Sequence, residues 1–178
     1  MIDLIWRPDH HPLRPRDVQT AKDHLEAQGL RSFRLKDAGQ GTETRRALYD
    51  LVRIGVLDAP GDDDFVPYQT FDTQLFEPYY WRWADLQILA ADRDIWIGLS
   101  NVQLHKPHEA QLGITAVHRK YRRRGIAKAL KVLALSQIQA RGNQSAITRN
   151  HPDNEPILRL NSSLGFVPRE TDESTLLH

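Results

Sequence analysis

The chain has 178 residues, enough to bury a sizeable core and within the usual span of one domain. Its 24 Lys and Arg against 23 Asp and Glu give a formal net charge of +1, so nothing global points to a nucleic acid or a membrane surface. Cysteine is absent, which excludes disulfides, thiolate metal sites and acyl-cysteine chemistry.

In chain order, Met1 to His11 is broken by Asp3, Arg7, Pro8 and Asp9, and no run approaches the roughly 20 apolar residues of a membrane span, so a cytoplasmic location is expected. Val18, Ala21 and Leu25 recur at helical spacing before Gly29, predicting a short amphipathic helix closed by a left-handed cap. Residues 1–30 thus read as an amino-terminal helical extension and 31–178 as the domain proper. Arg31 to Lys36 reads as the first strand, and Thr42 as the cap of a helix burying Leu48, Leu51 and Val52. Gly55 to Pro67 breaks the pattern with a loop containing Asp62, Asp63 and Asp64, before a second helical region with Phe71, Leu75, Phe76 and Trp81. Leu86 to Ala91 and Ile95 to Leu104, joined by Asp92, Arg93 and Asp94, predict an antiparallel hairpin; Gln111 to Val117 supplies the next strand. Ile126, Leu130, Leu133, Ala134 and Ile138 predict a helix ending at Gly142, followed by a strand over Ser145 to Arg149. Asn154 or Asp153 then caps a helix with Ile157, Leu160 and Leu164 inward, which Gly165 stops, leaving room only for short terminal strands. The order predicts a mixed α/β sheet with helices on both faces.

Leu112 to Ala127 carries the strongest chemical signal. A short apolar strand runs through a basic turn into a helix started by a glycine. Arg122, Arg123 and Arg124 stand where the positive end of the helix dipole disfavours cations by roughly 0.3 to 1 kcal/mol each. A polyanion reverses that sign, and the free NH groups of a first helical turn point outward to meet one. The other reading of such a charge run is a solvated face.

Arg122-x-x-Gly125-x-Ala127 resembles the acyl-CoA-binding signature of the GNAT superfamily of acyltransferases. Thr148 to Phe166, with Asn150, Asn154, Asn161 and the closing Gly165-Phe166, resembles that family's later strand and helix. The resemblance covers Gln111 to Phe166 and implies a GNAT-like mixed, mostly antiparallel sheet. It implies acetyl-CoA, or another acyl-CoA, as co-substrate and no metal. Thr115, Ala116 and Val117 would pair with pantetheine as an added strand does. The turn from Arg122 and Arg123 through Arg124, Gly125, Ile126 and Ala127 to Lys128 would hold the diphosphate, and the Asn154 amide the pantetheine arm. A plain helix cap is the alternative for Asn154.

Direct acyl transfer needs a deprotonated amine, a polarised carbonyl and a proton for the leaving thiolate. By resemblance the NH of Val117 is the oxyanion donor. The family's glutamate base falls near Gln111, which takes no proton at neutral pH, so Glu109, on the same strand face, is the candidate base. The family's tyrosine acid falls at Asn161, which cannot donate as an acid and is assigned to orienting the cofactor or the acceptor. Tyr68, Tyr79 and Tyr80 fall in the region expected to line the acceptor pocket. His105 and His108 lie on opposite strand faces and form no metal pair.

The expected activity is N-acyl transfer to a small-molecule or peptide amine, with no nucleic-acid or membrane partner and with a homodimer compatible. An acyl-CoA-binding module with little catalysis is the alternative, suggested by Gln111 and Asn161. A basic nucleic-acid arm over His118 to Arg124 is a weaker one, because the rest of the chain is balanced in charge.

Overall fold

The computed structural model describes residues 1–61 and 64–170. Strands β1 (Ile2–Trp6), β2 (Leu30–Arg34), β3 (Ile88–Asp92), β4 (Ile95–Lys106), β5 (Glu109–Val117), β6 (Ser145–Asn150) and β7 (Val167–Pro168) form one sheet in the order β2-β3-β4-β5-β6-β1-β7. Every neighbouring pair is antiparallel except β5 and β6. The helices are α1 (Pro15–Glu26), α2 (Leu35–Ala38), α3 (Thr42–Leu57), α4 (Tyr68–Thr70), α5 (Ile126–Ala140) and α6 (Glu155–Ser163). The expected mixed sheet with helices on both faces is therefore what the chain forms.

Two apolar layers hold the sheet between them. On one face Ala21 and Leu25 of α1 and Ile126, Leu130, Leu133 and Ile138 of α5 pack on Trp6, Leu30, Ile88, Val102, Leu112 and Val117, and Leu164 and Phe166 close the α6 side. On the other, Leu48, Leu51 and Val52 of α3 pack with Phe71, Phe76 and Tyr80 on Leu89 and Leu99. Strand alternation divides β5 between these layers. Ile114 and Ala116 meet Gly55 of α3, and Val117 joins the α5 layer.

Several elements differ from the sequence expectation. The first strand is Ile2–Trp6, inserted between β6 and β7, so residues 1–30 hold a sheet strand as well as the expected helix. Its three-residue buried run, Leu4 to Trp6, is too short to carry a readable period. Helix α3 continues through Gly55 to Leu57, and Gly41 occupies the cap position expected of Thr42. Phe71 to Tyr80 winds as a π-helix, which accommodates Pro78 in its interior. Of the acidic loop, Asp62 and Asp63 lie outside the described residues, as does the tail from Thr171 to His178.

A bulge sets up the site. Ser100 pairs with Thr115 and Val102 with Leu112, so β5 carries one residue more than β4 between those points. The extra residue bends β5. Its pairing with β6 runs only from Glu109–Ser145 to Leu112–Thr148, and beyond it the two parallel strands separate. Asn101 wedges against the bulge. It donates to Gln87 Oε1 at 2.7 Å, and its own Oδ1 lies where any side chain on Gly113 would have to be, which reserves that position for glycine.

Candidate acyl-donor cleft

The open side of β5 above the bulge is a strand edge that no neighbouring strand pairs among the described residues. His118 N donates to Ile97 O at 2.8 Å, and from there the antiparallel alternation turns Thr115 and Val117 away from β4 and toward the gap left by β6. Unpaired strand edges are templates for another extended chain. Thr115 Oγ1 is buried there and has no hydrogen-bond partner among the described residues.

The basic turn closes the upper end. His118 caps a short 3-10 turn over Arg119–Tyr121, after which Arg123 at φ 59° and Gly125 at φ 73° bend the chain into α5. The turn is fastened from below and from the side. Arg122 Nε donates to Val117 O at 2.9 Å and its Nη2 pairs with Asp58, which Arg119 also reaches at 2.8 Å. Burial pulls the Asp58 carboxyl upward, but the bonds from Arg119 and Arg122 outweigh it and hold its pKa below the usual value. Arg124 Nε donates to Gln28 Oε1 at 2.9 Å, and Arg124 O bonds His24 Nε2 at 2.7 Å.

Arg122 and Arg124, expected as diphosphate ligands, also contact Asp58 and Gln28, which brace the turn. Arg123 and Lys128 are exposed. Gly125, expected to admit a ligand to the backbone, also lies against α1: a methyl group there would sit 2.7 Å from His24 Nε2. Ile126 is buried in the core and Ala127 half-buried, while the NH groups at the head of α5 have no acceptor four residues back.

Asn154 is a helix cap, its Oδ1 accepting from Ile157 N at 3.4 Å. Asn161 is fully buried on α6 and donates to Asn150 Oδ1 at 2.9 Å, while its own Oδ1 has no partner among the described residues. Glu109 and Val117, the two residues assigned to catalysis, are not brought together. They lie at opposite ends of the nine-residue β5, roughly 25 Å apart, and Glu109 Oε2 pairs with Arg169 at 3.2 Å. Tyr80 is buried in the α3 layer, its phenol pushed above the ordinary range by burial, so it packs rather than lining a pocket. Tyr68 stacks under Arg46, and Tyr79 is exposed with its carbonyl accepting from Asn101 and Gln103. His105 lies on β4, and His108 occupies the hairpin turn at φ 69°.

One residue near the cleft had no sequence signal. Lys131 on α5 is 1% exposed, with its Nζ 5.7 Å from the centre of the Phe166 ring. A lysine between Leu130 and Val132 reads as an interruption of the apolar face, and only the packing of Phe166 against that flank shows that it is covered.

The sequence matches the Acetyltransferase (GNAT) family over residues 55–166. No curated protein matches it. Among solved structures, a GCN5-related N-acetyltransferase from Sphaerobacter thermophilus is 18% identical with a TM-score of 0.67, covering 94% of this chain and 48% of that one; the present chain thus spans about half its length. The ribosomal-protein-S18-alanine N-acetyltransferase from Escherichia coli is 19% identical over 79% of each chain, with a TM-score of 0.60. A chain of the NatC complex bound to Gag peptide and CoA is 20% identical over 79% of this chain and 86% of its own, with a TM-score of 0.64. At these identities the likeness is one of fold.

Proposed function

The chain belongs to the GNAT family of acetyltransferases, and on that premise we propose that it moves an acetyl or other short acyl group from acyl-CoA to a primary amine by direct attack in a ternary complex. The observation that carries this reading is the gap between β5 and β6 beyond Leu112 and Thr148, which opens directly below the basic turn. Pantetheine is an extended chain with two amides, and it fits as a strand added to the free edge at Thr115 and Val117. Its diphosphate then meets the NH groups at the head of α5, where the helix dipole favours anions, with Arg123 and Lys128 supplying charge. The thioester reaches down to the bulge at Gly113, and an NH of the open edge receives the carbonyl oxygen as it becomes an oxyanion. With no cysteine in the chain, the amine attacks the thioester itself.

Acetyl-CoA binding tests this by thermal shift, with release of the CoA thiol as the measure of turnover. Wild type is expected to be stabilised by about 2 to 4 kcal/mol at ligand concentrations 100 to 1,000 times Kd. Arg123→Glu, which changes an exposed side chain, should weaken binding at least tenfold at low salt, because it sets a carboxylate beside the diphosphate. Equal shifts in both proteins would remove the turn from the site. Binding without thiol release to any of a set of small amines, amino-terminal peptides and lysine peptides would favour a cofactor-binding module.

A further inference from the structure

We propose that Lys131 receives the departing CoA thiolate, taking the place of a tyrosine acid in a cleft where Asn161 stands at the position such an acid would hold. This inference rests on the acyl-CoA reading of the cleft. Lys131 lies four residues after Ala127 and therefore on the same flank of α5, one turn further from the basic turn. That flank faces α6, as the contact between Nζ and the Phe166 ring shows. Phe166 N donates to Asn161 O at 3.1 Å, and the Asn161 side chain reaches Asn150 at the end of β6, just past the last paired residue of the gap. Helix α5, which carries Lys131, packs on the face of β5 that Val117 and hence Thr115 share, and Asn161 reaches the β6 side, so the three residues lie on the elements that flank the separated strands. Thr115 Oγ1 and Asn161 Oδ1 are both buried without partners among the described residues. Unpaired buried acceptors and a buried amine are costly in an apolar core and are satisfied when a polar ligand enters.

The charged groups on the surrounding elements are engaged elsewhere. Glu155 and Arg159 of α6 pair with each other, Arg149 of β6 with Asp3, and Glu109 of β5 with Arg169. His11 lies against Gly165, beside Phe166. On α5 itself Lys128 is exposed, and Lys22 of α1 lies with Leu133 and Gln137 on the other flank. Burial lowers the Lys131 ammonium to about pKa 7, close to the pKa of about 8.5 of an unperturbed thiol. Near-matched values suit proton transfer between the two.

The step balances without another reactant. The amine nitrogen bonds to the carbonyl carbon, the carbon–sulfur bond breaks with its electron pair going to sulfur, and the Nζ ammonium gives its proton to that sulfur. The attacking amine releases one proton to solvent, and Nζ takes one back.

The test needs no acceptor. CoA is bound to wild type, Lys131→Met and Lys131→Arg, and the bound thiol is titrated by the ultraviolet absorbance of its thiolate against a dethio analogue; the chain has no cysteine to contribute. In wild type the thiolate absorbance should appear about one pH unit or more below that of free CoA, because the thiolate and the Nζ ammonium titrate as a coupled pair in which each charge favours the other. Lys131→Arg should retain that shift and Lys131→Met should lose it. A thiol that titrates alike in wild type and in a CoA-binding Lys131→Met protein overturns the role of Lys131. If Lys131→Met does not fold, Lys131→Gln replaces it. Failure of wild type to bind CoA overturns the acyl-CoA reading itself, a different result from unchanged titration.

Discussion

At the scale of single residues, the buried amine of Lys131 has a thermodynamic signature of its own. Its folded-state pKa of about 7 lies below the unfolded value of about 10.4. Between those limits the unfolded chain binds more protons than the folded one, so stability rises with pH across that window. Below about pH 7 both states are charged and the full penalty of the buried ammonium remains. Lys131→Met is therefore expected to stabilise the fold at neutral and acidic pH. The gain over wild type should shrink toward zero from about pH 7 to pH 10, by up to about 1.4 kcal/mol per unit. Urea denaturation of both proteins across that range measures it. A constant difference would show that the amine is solvated or paired in the folded protein. A residue that destabilises its own fold while bordering the cleft is what a trade between stability and activity produces.

At the scale of elements, α1 and the basic turn form one unit. Gly125 is constrained twice, by its positive φ and by His24 lying where a side chain would go. Gly125→Ala should cost about 1 to 3 kcal/mol, combining left-handed strain with the displaced imidazole. In a His24→Ala background the steric part disappears, so the double mutant should be more stable than the sum of the single effects predicts, by about 0.5 kcal/mol or more. Strict additivity in chemical denaturation would mean that α1 does not press on the turn. The turn was legible in the sequence because its signal is local: three consecutive arginines, a glycine and a following helical period. Its bracing was not, since Asp58 and Gln28 are far away in the chain and nothing local marks them. The same distinction explains the elements. β3, β4, β5 and α5 follow from alternation and helical spacing, whereas the π-helix over Phe71 to Tyr80 follows no simple period. The gap between β5 and β6 depends on one extra residue in β5, and a bulge of that kind leaves no mark in an apolar run.

At the scale of the molecule, the first five-residue strand is structural rather than accessory. β1 contributes Leu4, Ile5 and the fully buried Trp6, and it pairs along its whole length with β6 while also holding β7. Trp6→Ala should destabilise the protein by about 3 to 5 kcal/mol, measured by urea unfolding. Removing residues 1–7 should abolish cooperative unfolding and expose the β6 edge to aggregation. A truncated protein that unfolds cooperatively with unchanged midpoint would make the segment an appendage after all.

Placing that strand between β6 and β7 also sets an order in time. Ile2 meets Asn150 and Trp6 meets Ala146, so the sheet closes only after nearly the whole described chain has been made. At about 5 to 20 residues per second, the ribosome needs roughly seven to thirty seconds to pass from one partner to the other. Through that interval Trp6 and its neighbours have no strand to join, and α1 has no α5 to lie on. Such long-range pairing slows folding and leaves apolar surface uncovered. The nascent protein's dependence on chaperones should therefore centre on residues 2–6, and a variant that encodes this strand after β6 should show less of it.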